Sequence, residues 1–327
     1  MNRDYMKEIE INEIEGFRIG NAQDMEGGTG CTAILCDEGA ACGVDVRGGG
    51  PATRETDLLD PVKMVERVHG ALLSGGSAYG LDAASGVMKY LEDNDIGFDV
   101  GIGKVPIVPA ACLFDLVSGD PKCRPDASMG YDACVASEKN SPEKGNYGAG
   151  TGATVGKFSG IERLMKGGLG TYAVQIGKLK IGAVVAVNCL GDVFDIDSGI
   201  QLAGILNEEK TALASTREIM WSTIELQKNV FAGNTTIGCI ITNAKLTKPQ
   251  CCKLASMAHN GYAAAIKPVH TSADGDTIFY LAKGDVEVNP DALGDLGAYV
   301  MAKAIAEGVK NAESAYGFKA MCDIKNK

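Results

Sequence analysis

Gly233-Asn234-Thr235-Thr236-Ile237-Gly238-Cys239-Ile240-Ile241-Thr242 runs from a polar step straight into apolar, β-branched residues. Gly-Asn favours a turn, and the Ile-rich run favours a strand. Thr235 therefore stands where a turn becomes a buried strand, with a rigidly held hydroxyl. A threonine hydroxyl is a weak nucleophile until a base takes its proton. Cleavage of the Asn234–Thr235 bond would supply that base. The new α-amine, with a pKa of about 8 in model peptides, sits on the same residue. This is the pattern of a threonine N-terminal nucleophile. The other reading is a turn and a strand start and nothing more, because turn chemistry explains the tripeptide by itself.

The surrounding chain narrows the choice. Its length suits one large domain or two ordinary ones, with ample core. The net charge of −11 argues against nucleic acid and against an anionic membrane surface as partners. Glycine is abundant, at 43 residues. The glycines are scattered rather than repeated, which points to tight turns and close-packed backbone. The eleven cysteines contain no CxxC pair, so a structural zinc site is not expected. Their odd number and the charged N-terminus, without a signal peptide, lead us to expect a reducing cytoplasm. No apolar run is long enough to span a membrane. Nothing in the composition or motifs asks for a cofactor.

Along the chain, Cys31–Cys36 and Ala40–Val46 read as two strands joined by the turn Asp37-Glu38-Gly39. Arg47-Gly48-Gly49-Gly50-Pro51 lacks phosphate-loop spacing and reads as a loop lining a cleft. Asp60-Pro61 reads as a helix start, with that helix running to Leu73 and carrying His69 as a structural residue. After the break Ser74-Gly75-Gly76-Ser77, a second helix is expected over 81–91. A third, over 129–138, carries Tyr131. The string Gly148-Ala149-Gly150-Thr151-Gly152 is followed by no long helix, which argues against a dinucleotide fold. It reads as a contorted loop carrying Lys157 into a site.

A hairpin is expected about Gly177-Lys178, between strands 169–176 and 179–187. Its second strand ends at Asn188. That amide either caps the strand or donates to a developing oxyanion. Residues 208–229 are rich in polar and charged side chains and read as an exposed excursion into the Gly233 step. Helices are expected over 249–265 and 291–316, with a strand over 278–282. Asp274-Gly275-Asp276 lacks calcium-loop spacing. It is either a plain turn or a pair of carboxylates beside the nucleophile's amine.

Taken together, several stretches resemble one family. They are Arg47-Gly48-Gly49 with Pro51–Glu55, Leu73-Ser74-Gly75-Gly76-Ser77-Ala78-Tyr79-Gly80-Leu81, Gly148–Gly152, Asn234–Gly238 and Asp274–Thr277. The chain is similar to the autoprocessing N-terminal-nucleophile hydrolases that include D-Ala/L-Ala aminopeptidases, β-peptidyl aminopeptidases and nylon-oligomer hydrolases.

The resemblance implies an α+β fold, a four-layer αββα sandwich, with residues 1–327 forming a single hydrolase domain. It implies self-cleavage between Asn234 and Thr235 into an α chain, 1–234, and a β chain, 235–327. Thr235 would be the nucleophile, Asn188 the oxyanion donor and Lys157 the lysine beside the nucleophile. Asp274 and Asp276 would hold the amine, and Tyr131 would line the site. The substrate would be a small peptide or amide, and the protein a homo-oligomer, a tetramer by resemblance. The aminopeptidase branch uses a serine nucleophile with a Ser/Glu pair. Threonine with two aspartates resembles the nylon-hydrolase branch instead. An acyltransferase on a related scaffold and an uncleaved binding protein are the rival functions.

Overall fold

The computed structural model describes residues 5–225 and 233–324. The last part of the polar excursion before Gly233 lies outside the described residues.

Nine strands and five helices carry the architecture. The strands are β1 (Met6–Ile9), β2 (Arg18–Asp24), β3 (Thr29–Val46), β4 (Val68–Ser74), β5 (Ala110–Cys112), β6 (Gly168–Ile176), β7 (Leu179–Val187), β8 (Ile237–Ala244) and β9 (Thr277–Val286). The helices are α1 (Ala83–Asp93), α2 (Ala127–Ala136), α3 (Thr216–Ser222), α4 (Lys248–Ala265) and α5 (Pro290–Lys310).

One sheet runs in the order β1-β6-β7-β8-β9-β3, and a second in the order β2-β3-β4-β5, with Thr53–Arg54 at its edge. The long strand β3 belongs to both. Thr29–Leu35 pairs with β2 and β4, and Ala41–Val46 pairs with β9. The inward faces meet in a core that includes Ile34, Leu73, Val184, Cys239, Ile241 and Phe279. The outer face of the first sheet packs against α4 and α5, through residues such as Ile240, Tyr262, Met301 and Ile305. The outer face of the second sheet packs against α1 and α2. The result is the four-layer αββα sandwich. No helix among the described residues is long and apolar enough to cross a membrane.

Two expectations about local structure are corrected. Cys31–Cys36 and Ala40–Val46 are one strand of 18 residues. Asp37-Glu38-Gly39 is an irregularity within it, with a register shift against β4 between Leu35 and Ala40. The expected helix from Asp60 stops after one turn, in which Lys63 N–H donates to Asp60 O at 2.9 Å. The segment that follows is β4, buried along its whole length. A short continuous apolar run fits a fully buried strand as well as a helix, and between two packed layers the strand wins. His69 therefore sits in a strand, where its Nδ1 accepts the Ile107 N–H at 3.3 Å.

Strand direction positions the site. β8 and β9 are parallel, joined through α4, so their starting ends lie side by side with Ile237 opposite Thr277. β7 is antiparallel to β8, with Ala186 opposite Ile237, which brings its finishing end to the same place. β3 runs antiparallel to β9 and ends there too, with Val46 opposite Thr277. Asn188, Thr235, Asp274–Asp276 and Arg47–Gly50 therefore converge at one end of one sheet.

Candidate active site

Thr235 is 5 % exposed and lies two residues before the start of β8. Its N–H donates to the Asn188 carbonyl at 2.9 Å. Its Oγ1 donates to the carbonyl oxygen of Asn234, the residue before it. That same oxygen accepts the Gly275 N–H at 3.0 Å. The Asn234 carbonyl is thus held by a backbone donor with the Thr235 hydroxyl against it. Gly275 has to be glycine here, because a Cβ would lie 2.6 Å from Thr235 Oγ1. Thr236 points the other way, and its hydroxyl has no partner among the described residues.

Lys157 is wholly buried. Its Nζ donates to Asn188 Oδ1 at 2.5 Å and to the Gly233 carbonyl at 2.7 Å. Burial pushes its ammonium down to about 7, partly offset by the fields of Cys189, Asp115 and Asp274. A lysine poised there can give or take a proton near neutrality.

Asn188 was expected to donate to an oxyanion through its carboxamide. Both ends of that amide are engaged elsewhere. Oδ1 accepts from Lys157 and from the Thr154 N–H at 3.0 Å, and Nδ2 donates to the Phe114 carbonyl at 3.1 Å. The donor on the Asn234 oxygen is the Gly275 N–H instead.

The two aspartates meet at the start of β9 but do different things. Asp276 Oδ1 accepts the Thr236 N–H at 2.9 Å, pinning the residue after Thr235. Its Oδ2 lies 2.8 Å from His270 Nδ1 and accepts the His270 N–H at 3.2 Å. Asp274 accepts from Thr271 through both N–H, at 2.7 Å, and Oγ1, at 2.6 Å. Burial and the neighbouring Asp276 charge raise the Asp274 carboxyl well above its ordinary range.

Tyr131 is not brought to this cluster. It sits on α2 in the outer helix layer, with its ring edge-on to Tyr90 at 5.5 Å. Its place is set by the packing of α2 against α1 and the second sheet.

Sequence reasoning missed three contributors. Gly275 acts through its N–H, which no side-chain motif announces. His270 is a lone histidine in a loop, and only the fold sets it on Asp276. Asp115, on the loop after β5, is buried, and its charge is felt by Lys157.

The sequence profile of peptidase family S58 matches residues 10–322. The chain belongs to peptidase family S58. An uncharacterized aminopeptidase of Mycobacterium leprae is 38% identical, over 96% of this chain and 93% of its own. A 6-aminohexanoate-oligomer endohydrolase of Kocuria sp. is 28% identical, over 91% of this chain and 85% of its own. Among solved structures, the L-aminopeptidase D-Ala-esterase/amidase of Ochrobactrum anthropi superposes with a TM-score of 0.69 at 17% identity, covering 94% of this chain and 87% of that one. It is described as a variant of the N-terminal-nucleophile hydrolase fold. A Burkholderia sp. β-aminopeptidase superposes with a TM-score of 0.66 at 18% identity, covering 96% and 91%. This S58 protein has the N-terminal-nucleophile hydrolase fold and is a hydrolase of the peptidase and amidase kind.

Proposed function

We propose that this S58 hydrolase processes itself at Asn234–Thr235 and then cleaves amide bonds of small peptides or amino-acid oligomers with Thr235 as nucleophile. The observation that supports this most directly is the pairing at the Asn234 carbonyl. Thr235 Oγ1 donates to its oxygen, and the Gly275 N–H donates to the same oxygen at 3.0 Å.

In the processing step, Thr235 Oγ1 attacks the Asn234 carbonyl carbon. Negative charge grows on the Asn234 oxygen, against the Gly275 N–H. A backbone donor of this kind is worth about 3 kcal/mol of barrier. The C–N bond breaks, the Thr235 nitrogen takes a proton and leaves as an amine, and an ester remains. Lys157, buried against Asn188 and the Gly233 carbonyl, is the group poised to move that proton. Water then hydrolyses the ester, giving the Asn234 carboxylate and a free Thr235 hydroxyl.

In turnover the freed amine of Thr235 takes the proton from its own Oγ1. Oγ1 attacks the substrate carbonyl, the substrate's amine leaves protonated, and water releases the acyl group. The Asn188 carbonyl, already on the Thr235 nitrogen, orients the amine. The second Nδ2–H of Asn188 is assigned to the turnover oxyanion. Asp276 acts one residue removed, by holding Thr236. The aminopeptidase and 6-aminohexanoate-oligomer endohydrolase names of the relatives support an amide substrate.

Intact mass tests the reading. Purified protein should resolve into two fragments, 1–234 and 235–327. Active protein that remains one full-length species would overturn it.

A further inference from the structure

The loop after β5 carries a carboxylate that the hydrolase chemistry above leaves unused. Asp115 is 1 % exposed. Its Oδ2 accepts from Thr29 Oγ1 at 2.7 Å, and its Oδ1 accepts the Gly76 N–H at 2.7 Å. Both oxygens serve as acceptors, the role of an ionised carboxylate. On one side of it, the Phe114 carbonyl takes the Asn188 carboxamide at 3.1 Å, and Asn188 in turn takes Lys157. On the other side, the Asp115 carbonyl accepts the Ser118 N–H at 2.8 Å, and Ser118 Oγ donates to the Gly152 carbonyl at 2.7 Å.

This arrangement accounts for the Ser74-Gly75-Gly76-Ser77 motif, which the reaction does not otherwise use. A Cβ on Gly75 would lie 2.0 Å from Asp115 Oδ2 and 2.5 Å from Thr29 Oγ1. The motif is glycine so that the backbone can close over the carboxylate. Burial raises the Asp115 carboxyl to about 6, opposed by its hydrogen bonds and the field of Lys157. The other titratable groups that feel its charge are Lys166, Cys112 and Tyr316.

We propose that Asp115 is a positioning residue for the Thr235 site. It fixes the Asn188 carboxamide through the Phe114 carbonyl, and it supplies a buried negative charge for Lys157. The proposal rests on the nucleophile reading only for its rate effect, so it can be tested in two separable ways.

Asp115→Asn keeps the shape and an acceptor for Gly76 while removing the charge. Lys157 is followed by carbon-13 NMR of lysine labelled at Cε, its signal being the one lost in Lys157→Met. Removing an opposite charge makes the ammonium harder to keep, so its titration midpoint should fall. The rate at which fragments 1–234 and 235–327 appear should fall about tenfold to a hundredfold, the cost of a displaced reacting group. Thr29→Val, which removes one of the hydrogen bonds that keep Asp115 ionised, should slow cleavage less and move the midpoint less than Asp115→Asn does.

An unmoved midpoint or an unslowed rate in folded Asp115→Asn overturns the proposal. If Asp115→Asn does not fold, Thr29→Val decides: slowed cleavage supports the role, and a wild-type rate removes it. A wild-type chain that never cleaves sinks the nucleophile reading, but the midpoint comparison still judges Asp115.

Discussion

Lys157 and Lys166 are both wholly buried, and burial pushes both ammonium groups down to about 7. Their surroundings differ. Lys166 Nζ donates to three backbone carbonyls, those of Gly150, Ala153 and Gly167, at 2.9, 3.0 and 2.9 Å. An ammonium has three donors, so every one is used. Lys157 has two acceptors among the described residues, the Asn188 side chain and the Gly233 carbonyl just before the Asn234–Thr235 step. The first lysine staples a loop. The second has a position left over and sits beside the bond proposed to be cleaved. Depressed basicity does not by itself mark a catalytic lysine; the saturation of its donors separates the two.

Of the two lysine variants, Lys157→Met should have the larger effect on cleavage. Loss of a positioned proton-transfer group costs about a hundredfold to ten-thousandfold. A time course of intact mass should show cleavage slowed by that much in a protein whose circular dichroism is unchanged. Rapid cleavage in Lys157→Met would erase the distinction between the two lysines.

Lys166→Met should break the fold rather than the chemistry. Three carbonyls lose their donor, and a buried unsatisfied group costs roughly 1–3 kcal/mol. The melting temperature should drop by about 10 °C, at some 2–4 °C per kcal/mol for a chain of this order of size. The molecules that do fold should still cleave. Blocked cleavage with an unchanged melting temperature would contradict the comparison.

Both lysines predict how stability depends on pH. Each folded pKa, about 7, lies below the unfolded value of about 10.4. Between these values the unfolded chain holds more protons, so stability rises with pH across that window. Below the folded value both states carry the proton and the contribution to the slope vanishes. Denaturant titrations from pH 7 to pH 10 should show the rise, and Lys166→Met should flatten it. An identical slope in the variant would mean that Lys166 is not the buried cation described.

The hairpin ending at Asn188 was readable in the sequence from strand periodicity and turn chemistry, and motif resemblance grouped Asn188, Lys157, Thr235 and Asp274–Asp276, which the fold gathers at one end of a sheet. The β4 segment was not readable, because Val68–Ser74 has the same apolar run in either conformation and only burial on both faces decides. The donor on the Asn234 oxygen was not readable either, because it is the Gly275 main chain. Tyr131 was misplaced because a helix with a tyrosine does not announce which layer it joins. His270 is set on Asp276, and Asp115 on Thr29 and Gly76, by sheet topology and loop packing, to which local sequence is blind.

The smallest effect should come from Thr236→Val. The Thr236 hydroxyl is buried and has no partner among the described residues. Replacing it with a methyl should leave cleavage intact and stability unchanged or slightly improved. A large loss of cleavage, measured by mass, would show that the wrong hydroxyl has been assigned.

The central claim is that one atom, Thr235 Oγ1, performs both self-cleavage and amide hydrolysis. The direct measurement sets Thr235→Ala beside Thr235→Ser, reading intact mass and amide hydrolysis on each. The account predicts that Thr235→Ala stays full-length and inactive, whereas Thr235→Ser, which keeps the oxygen without the methyl, retains some of both. A cleaved and active Thr235→Ala protein would contradict it.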